Sequence, residues 1–381
     1  MKSKLPNIAT NIFTVMSAMA NEYKAINLSQ GFPDFPISDV LIEHVYKAMK
    51  DGHNQYAPMI GMPALRTALS EKIKKCYNKD CDANDEITIV PGATYAIYAA
   101  LTAILEAGDE VIVLEPAYDS YIPNIEMNGA KAVCVPLRFP DFSVDWQLVK
   151  EHITAKTKAI IINSPHNPSG YVWTHQDMLQ LIELVQNTAM YIISDEVYEH
   201  IIFDDKKHMS IIMYPELYER SFVLFSFGKV FHTTGWKMGY CVAPKKLSAE
   251  FRKMHQFISF TTNTPMQIAL SYYLKNESAY TSISKLFQQK RDLFINSINH
   301  LPFTIYNKAH GTYFQTLGYE QISKSSDTEF SNWLTQKIGV ACIPISAFYQ
   351  NKKDDKMVRF CFGKKEETLQ MAIEKLNKLL K

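Results

Sequence analysis

The chain has 381 residues, of which 47% are hydrophobic and 21% charged, the balance of a folded globular protein and not of a disordered one. Lysines and arginines number 40 and acidic residues 39, so the net charge is +1. That balance argues against a protein that binds nucleic acid or anionic membranes through bulk charge. At roughly 150 residues per domain, the length predicts two or three domains.

The opening residues and the cysteines predict a cytoplasmic location. Within residues 1–24, Pro6, Asn11 and Glu22 interrupt the apolar core that a signal peptide needs. No apolar run approaches the roughly 20 residues of a membrane-spanning helix. The six cysteines are scattered and form no C-x-x-C pair, so neither a zinc site nor a disulfide scaffold is indicated. We therefore expect a reduced enzyme with no membrane partner and no nucleic-acid partner.

The middle of the chain alternates short apolar runs with helical patterns. The runs are rich in Ile, Val and Leu and lie at 86–90, 110–116, 158–165, 190–196 and 221–227. Continuous apolar runs are typical of a sheet that is covered on both faces. Because helices separate them, the sequence predicts an α/β fold with a doubly wound, mostly parallel sheet.

The pattern changes towards the C-terminus. From about residue 265 it is dominated by long helical stretches, then by short predicted strands, GTYFQTL (311–317) and MVRFCFG (357–363), and a last amphipathic helix at 366–380. This mixture predicts a smaller α+β domain. The predicted organisation is an N-terminal arm with part of the small domain (1–45), a large α/β domain (46–280) and a small C-terminal domain (281–381).

Candidate site residues follow the predicted strands. In an open parallel sheet, ligands bind beyond the carboxyl ends of the strands. The helix that starts after Gly92 offers bare N–H groups and a positive dipole end, which suit a phosphate. The other strand ends present an amide, a carboxylate, a phenol and two lysines, at Asn167, Asp195, Tyr198, Lys229 and Lys237. In this order and at these positions, the combination predicts a functional site.

Each of these features also has an ordinary interpretation when taken alone. A small-residue turn before a helix is usually only a cap, NPSG (167–170) is a common turn sequence, and a lone lysine is usually solvated. Other enzyme motifs are absent: there is no G-x-G-x-x-G after a strand, and no G-x-x-x-x-G-K-[ST], H-E-x-x-H or G-x-S-x-G. The common dinucleotide, P-loop, zinc-protease and serine-hydrolase interpretations therefore have no support.

The conjunction of motifs carries a family resemblance. NPSG (167–170), SDEVY (194–198), SFGK (226–229) and GWKMG (235–239) resemble the class I aminotransferases of fold type I, which carry pyridoxal 5′-phosphate (PLP). The similarity covers nearly the whole chain and includes LSQGFPDFP (28–36), NQYAPMIGMPALR (54–66), PGAT (91–94), EPAYDSY (115–121) and VRFCFGK (358–364). With residues 4–20, these segments are most similar to the methionine aminotransferase branch, near the kynurenine aminotransferases.

The resemblance implies three chemical roles. Lys229 would form the Schiff base with PLP and move the proton at the substrate Cα. Asp195 would pair with the pyridine nitrogen and keep it protonated. Arg359 would bind the substrate α-carboxylate in a bidentate geometry that a guanidinium offers and an ammonium does not.

The resemblance also implies a set of binding residues. Tyr198 and Asn167 would hydrogen-bond the phenolic oxygen of PLP, and Tyr118 would stack on its ring. The phosphate would be held by Gly92, Ala93, Thr94, Ser226 and Lys237, and by Tyr56 of a second subunit. Gly31 and Asn167 would complete the carboxylate pocket. Lys237 stands where many members of the family have arginine.

An aminotransferase that moves the amino group of methionine or an aromatic or apolar amino acid to a 2-oxo acid is therefore expected. Its expected assembly is a homodimer with shared active sites. Phe32, Tyr121, Tyr313 and Phe348 would form apolar walls near the pocket, although ordinary core packing explains each one equally well. A C–S β-lyase on the same cofactor is an alternative. A PLP-fold sensory domain of a transcription regulator is another, but the chain shows no basic helix-turn-helix segment.

Overall fold

The computed structural model describes residues 3–6 and 8–380, and residues 1, 2, 7 and 381 of the predicted terminal segments lie outside them. The helices are α1 Ile12–Glu22, α2 Asp39–Lys50, α3 Pro63–Tyr77, α4 Ala93–Ile104, α5 Tyr121–Met127, α6 Trp146–Glu151, α7 His175–Val185, α8 Pro215–Tyr218, α9 Phe227–Val230, α10 Lys245–Ile258, α11 Thr264–Tyr273, α12 Ser278–Thr281, α13 Ile283–Ile298, α14 Asp327–Trp333 and α15 Glu366–Leu376. None of the helices in the described ranges is long and apolar enough to cross a membrane.

The strands of the described residues form one large sheet and two small ones. Their bounds are β1 Ile26–Asn27, β2 Ile87–Val90, β3 Glu110–Glu115, β4 Lys131–Pro136, β5 Thr157–Asn163, β6 Tyr191–Asp195, β7 Ser221–Ser226, β8 Gly239–Val242, β9 Phe314–Gly318, β10 Val340–Ala341, β11 Ile343–Pro344 and β12 Met357–Cys361. The large sheet has seven strands in the order β2-β8-β7-β6-β5-β3-β4. All five runs predicted from apolar composition are strands of this sheet.

The large sheet is mixed because of one strand. β8 runs antiparallel to both of its neighbours, β2 and β7, whereas β7, β6, β5, β3 and β4 pair in parallel. No strand was predicted for this segment. Apart from β8, the strands point their carboxyl ends to one edge, where the predicted site residues lie.

Helix α4 packs closely against the large sheet because its buried face is made of small residues. Ala96, Ala99 and Ala100 are fully buried and share a core cluster with Phe222 and Leu224 of β7. Small side chains let the helix axis approach the strands closely. Because α4 begins three residues after the end of β2, its N-terminus opens at the edge where the strands end. This position makes the helix start available to a ligand.

The two small sheets join distant parts of the chain. β12 lies between β11 and β9 in an antiparallel sheet, and β1 pairs in parallel with β10, so residues 26–27 lie beside residues 340–341. A second buried core that includes Phe287, Phe314 and Phe360 supports these strands. The N-terminal segment is thereby attached to the C-terminal part of the chain. The exact domain boundaries stay a prediction.

Candidate active site

A cavity of about 270 Å³ opens between the carboxyl edge of the large sheet and the C-terminal strands. Every predicted site residue except Tyr56 lines it, namely Gly31, Gly92, Ala93, Thr94, Tyr118, Asn167, Asp195, Tyr198, Ser226, Lys229, Lys237 and Arg359. Their assembly from separate strands and loops agrees with a site at the ends of the strands. The structure thus brings the predicted residues together, and their individual roles stay predictions.

One end of the cavity is suited to an anion. Helix α4 begins at Ala93, and its N-cap residue, Gly92, has a φ of 91°. Because glycine has no side chain, no cap occupies the first N–H groups of the helix. A Cβ atom built on Gly92 would lie 3.6 Å from the Lys237 Nζ. The ammonium group and the positive end of the helix therefore meet at one point, as a phosphate site requires.

Asp195 ends strand β6 with its carboxylate buried at the floor of the cavity. Tyr121, at the start of α5, donates its hydroxyl to Asp195 Oδ2 at 2.7 Å, and the Val197 N–H donates to Oδ1 at 3.3 Å. Burial raises the pKa of Asp195 to about 6 although these bonds oppose the shift. A cationic partner at this carboxylate would relieve that cost, because an opposite charge favours the ionised form.

Lys229 projects from the short helix α9 into the centre of the cavity. Its Nζ lies 3.4 Å from the carbonyl oxygen of Gly31 and 5.5 Å from the ring centroid of Tyr198. Burial, with the nearby Arg359 charge, lowers the pKa of Lys229 to about 8. More of this amine is therefore neutral at neutral pH than in a solvated lysine, which favours its action as a nucleophile or base.

Arg359 lies in the middle of β12 and is fully buried. One terminal nitrogen donates to Asn167 Oδ1 at 2.7 Å, and the other donates to the Ser29 carbonyl at 3.0 Å. The guanidinium also stacks over Phe314, with its Cζ 3.8 Å from the ring centroid. Burial lowers the pKa of Arg359 to about 10, so it stays protonated at neutral pH.

A chain of buried amides links Arg359 with Asp195. Asn167 accepts from Arg359, and its own backbone N–H donates to Asn163 Oδ1 at 2.8 Å. The Asn163 amide then donates to the Asp195 carbonyl at 2.8 Å. Asn163 was absent from the predicted site, although it ends an apolar run in the same way as Asp195 does. That position was a usable signal.

The loop around Gly31 forms the opposite wall. A Cβ atom on Gly31 would lie 2.8 Å from Phe314 Cζ, so this close approach requires glycine. The hydroxyl of Tyr313 donates to the Gly31 carbonyl at 2.7 Å, and the Lys364 ammonium donates to the Phe32 carbonyl at 2.8 Å. Donors from the C-terminal region therefore hold the loop against the cavity.

The aromatic walls differ in part from those expected. Phe32 and Tyr121 line the cavity, but the Tyr121 hydroxyl is bound to Asp195. Tyr313 and Phe348 are buried behind the wall and do not line it. Phe13 of α1 and Phe314 of β9 line it instead. These two were missed because neither follows a strand of the large sheet.

Tyr56 lies outside this cavity. Its side chain is 83% exposed and contacts the ring of Phe260 at a centroid distance of 5.7 Å. An exposed tyrosine in the segment that precedes α3 is available to another molecule. Its predicted contact with the phosphate of a second subunit is not tested by a single chain.

The donor set of the cavity fits PLP. The helix start beside Lys237 suits a phosphate, the buried Asp195 suits a protonated ring nitrogen, and the perturbed amine of Lys229 suits an aldehyde. In addition, the Arg359 Nε is buried without a hydrogen-bond partner in the described part of the chain, which leaves a donor for a further acceptor. No group of acidic, histidine or cysteine side chains that would hold a metal ion occurs among the described residues.

Comparisons with known proteins agree with this chemistry. The family model of aminotransferase class I and II matches residues 23–376. The methionine aminotransferase of Escherichia coli is 45% identical over 99% of this chain and 98% of its own. The kynurenine–oxoglutarate transaminase 3 of Mus musculus is 33% identical over 97% of this chain and 88% of its own. These names give the β-lyase and regulator alternatives no support.

Solved structures give the same result for the fold. A crystal structure from Escherichia coli, described as having a methionine aminotransferase function, superposes with a TM-score of 0.97 at 45% identity and covers 99% of both chains. The N-succinyldiaminopimelate aminotransferase of Mycobacterium tuberculosis superposes with a TM-score of 0.95 at 36% identity and covers 100% of both. The predicted fold class and family resemblance are confirmed.

Proposed function

The chain belongs to the class I and II aminotransferases, which use PLP, and we propose that it moves the amino group of methionine or another apolar or aromatic amino acid to a 2-oxo acid. The observation that supports this class of amino donor is the distribution of charge in the cavity. The cations that line it among the described residues are Lys229, Lys237 and Arg359. Each would act on the cofactor or the α-carboxylate, so the described residues of this chain leave no lining cation for a side-chain carboxylate.

The groups around the substrate position support an apolar side chain. Phe13, Phe32, Phe314 and the amide side chain of Gln30 line the cavity, and the rings of Phe13 and Phe314 lie against the Arg359 guanidinium. Aromatic walls favour thioether and aromatic side chains through burial and soft sulfur–ring contacts. The relative that is 45% identical is named for methionine, which is in the same chemical class.

The chain's own residues divide the reaction between them. When bound, PLP supplies an aldehyde that condenses with amines and a ring that withdraws electrons. Arg359 would hold the substrate α-carboxylate, and Lys229 Nζ would take the proton from the substrate Cα and return it on the cofactor side. Asp195 would hold a proton at the ring nitrogen, while the buried surroundings exclude water.

A screen of amino donors with several 2-oxo acids tests the proposal. We expect kcat/KM for methionine and phenylalanine to exceed that for aspartate and glutamate by roughly tenfold or more, because an unpaired side-chain carboxylate would be buried. Lys229→Ala is the inactive control. A preference for aspartate or glutamate would contradict the proposed donor class.

The covalent role of Lys229 has a direct chemical test. Borohydride reduction of the loaded protein, followed by peptide mapping, is expected to find the cofactor on Lys229. Lys237 is the internal control because it lines the same cavity but is exposed. Label on Lys237 would contradict the role of Lys229.

We also propose a homodimer in which Tyr56 of each subunit reaches the phosphate of the other. The exposed ring of Tyr56 and its position outside its own cavity support this. An isologous interface would complete both sites at once. The cytoplasmic location stays a prediction, supported by six free cysteines.

Mixing two inactive variants tests the shared site. In a mixed dimer of Lys229→Ala and Tyr56→Ala, one site would carry both changes and the other would be wholly native, so partial activity is expected after subunit exchange. If Tyr56 acts within its own chain, every site keeps one defect and no activity returns. Sedimentation should show a dimer, and a fully active monomer would exclude the proposal.

A further inference from the structure

The turn that ends β6 has two chemically different faces. Asp195 and Tyr198 line the cavity, whereas Glu196 and Glu199 do not, although all four belong to one stretch of five residues. Two backbone bonds tighten the turn, from Glu199 N–H to the Glu196 carbonyl at 2.9 Å and from Ile201 N–H to the Tyr198 carbonyl at 2.8 Å. Because the turn is held in this way, a displacement of Glu196 or Glu199 would also move Asp195 and Tyr198.

Behind this turn lies a buried ion pair. Lys72 of α3 donates its ammonium to Glu199 Oε1 at 2.7 Å, and the two side chains are 4% and 2% exposed. The hydroxyls of Tyr77 and Tyr240 also donate to the Glu199 carboxylate. The carboxylate thus accepts from residues of α3 and β8, which are far from it in sequence.

The ammonium of Lys72 is enclosed by aromatic rings. Its Nζ lies between 5.6 and 6.0 Å from the ring centroids of four residues, Tyr77, Phe225, Tyr240 and Tyr280. Such contacts stabilise a desolvated cation. Despite its burial, the pKa of Glu199 falls to about 2 because of the Lys72 charge, so the Glu199 carboxylate is ionised at neutral pH.

Glu196 provides a second attachment on the same face. Its carboxylate accepts from the Ser194 hydroxyl at 2.8 Å and from the Ile211 N–H at 3.0 Å, and it pairs with His208 at 2.7 Å. A buried ion pair adds little stability over an apolar pair of similar size, because desolvation offsets the attraction. What the Lys72–Glu199 pair does provide is a fixed direction and distance for the groups attached to it.

We propose that Lys72 and Glu199 are positioning residues, which hold the turn so that Asp195 and Tyr198 meet the cofactor in a reactive geometry. This role rests on the proposed function, because it concerns the same cofactor contacts. Neither side chain touches the cavity, so the pair acts only through the turn.

The test uses the double variant Lys72→Met/Glu199→Leu, which replaces the pair by apolar groups and is expected to fold. Three quantities are measured: the PLP dissociation constant, the midpoint pH of the bound cofactor's absorption change, and kcat against KM for methionine. We expect weaker PLP binding, a displaced midpoint and a kcat lowered about ten- to hundredfold, since small misplacements of reacting groups are costly. KM should change little, because Arg359 lies on another element.

Arg291→Met is the matched control. Arg291 is fully buried and pairs with Asp204 and Asp292, but it does not line the cavity. It should lower the melting temperature and leave the absorption midpoint in place. If the double variant folds with the PLP affinity, midpoint and kcat of the native protein, the pair is only structural and the proposal is overturned.

Two further measurements keep the result unambiguous. If the double variant does not fold, Lys72→Met/Glu199→Gln decides on the same three quantities, because it removes both charges together and keeps an amide oxygen that can accept from the Tyr77 and Tyr240 hydroxyls. The native protein is measured first. If it fails to bind PLP or to transaminate, the proposed function is refuted. If it does both, an unchanged variant counts against the positioning role.

Discussion

The cavity has two halves that are built in different ways. On the sheet side, Asp195 and Lys229 stand at or just after the end of a strand of the large sheet. On the other side, Gly31 lies in an irregular loop, Arg359 lies in the middle of β12, and Phe13 comes from α1. The first half is fixed by local strand geometry, whereas the second depends on contacts between residues more than 300 positions apart, such as Arg359 with Ser29.

This difference predicts different consequences of substitution. The sheet side presents the groups that would act on the cofactor, so changes there should lower turnover. The opposite side presents the groups that would bind the substrate, so changes there should raise KM. Variants on the two sides therefore test whether the division holds.

The largest effect is expected for Asp195→Asn. An amide cannot keep a ring nitrogen protonated, and loss of such electrostatic support lowers turnover by roughly 100- to 1,000-fold. Steady-state kinetics should show the loss in kcat with a small change in KM. Asp177→Asn, at a buried carboxylate of the α7 cap, is the control and should leave kcat unchanged. A near-native rate for Asp195→Asn would mean that its carboxylate is structural.

The same variant has a signature in the cofactor-free protein. Burial raises the pKa of Asp195 from 3.8 to about 6, so its favourable contribution to folding is present below pH 4 and is lost as the pH rises through 6. A shift of this size corresponds to about 3 kcal/mol. Between pH 4 and pH 8, Asp195→Asn should therefore gain stability relative to the native protein. Denaturant unfolding of both proteins at pH 4 and pH 8 measures the change. The same difference in unfolding free energy between the two proteins at both pH values would contradict the prediction.

The two halves also differ in how far the sequence predicts them. The strands with continuous Ile, Val and Leu could be recognised because both faces of the sheet are buried, and the residues after them followed from the ends of parallel strands. β8 was missed because its four residues, GYCV, begin with glycine and contain a single β-branched residue, whereas β2, which is equally short, reads ITIV. Its reversed direction also depends on pairing with β2 and β7, which no local sequence encodes.

The opposite wall depends on long-range packing. Arg359 and Gly31 were identified only through the family resemblance, since an arginine within an apolar strand and a glycine in a loop have no local signal of function. The Tyr121 bond to Asp195 was missed for the same reason: it spans 74 positions. The roles of all these residues stay predictions until the variants are measured.

Arg359→Lys is expected to have an intermediate effect on the substrate side. One ammonium replaces a planar group whose two terminal nitrogens already donate to Asn167 and Ser29. Loss of a hydrogen bond to a charged group costs about 1.5–3 kcal/mol, so KM for amino and oxo acids should rise roughly ten- to hundredfold. PLP should stay bound. Arg220→Lys is the control, because Arg220 donates to the backbone carbonyls of Val185, Thr188 and Met190. Release of PLP from Arg359→Lys would contradict the division between a cofactor side and a substrate side of the cavity.

The smallest effect is expected for Tyr313→Phe. This change removes the hydroxyl that donates to the Gly31 carbonyl at 2.7 Å and keeps the ring that packs against Tyr198 and Phe314. The net loss of one such bond is about 1 kcal/mol, so KM should rise a few-fold while kcat and the PLP affinity stay close to native. Tyr319→Phe is a matched control because its hydroxyl also donates to a backbone carbonyl, that of Ser325 at 2.9 Å, but Ser325 does not line the cavity, whereas Gly31 does. Both variants should lose similar stability in thermal unfolding, and only Tyr313→Phe should change KM. If both change KM equally, the effect comes from general loosening of the C-terminal strands. If Tyr313→Phe lowers kcat instead, the Gly31 loop acts on the reacting groups and the two halves of the cavity are not separable.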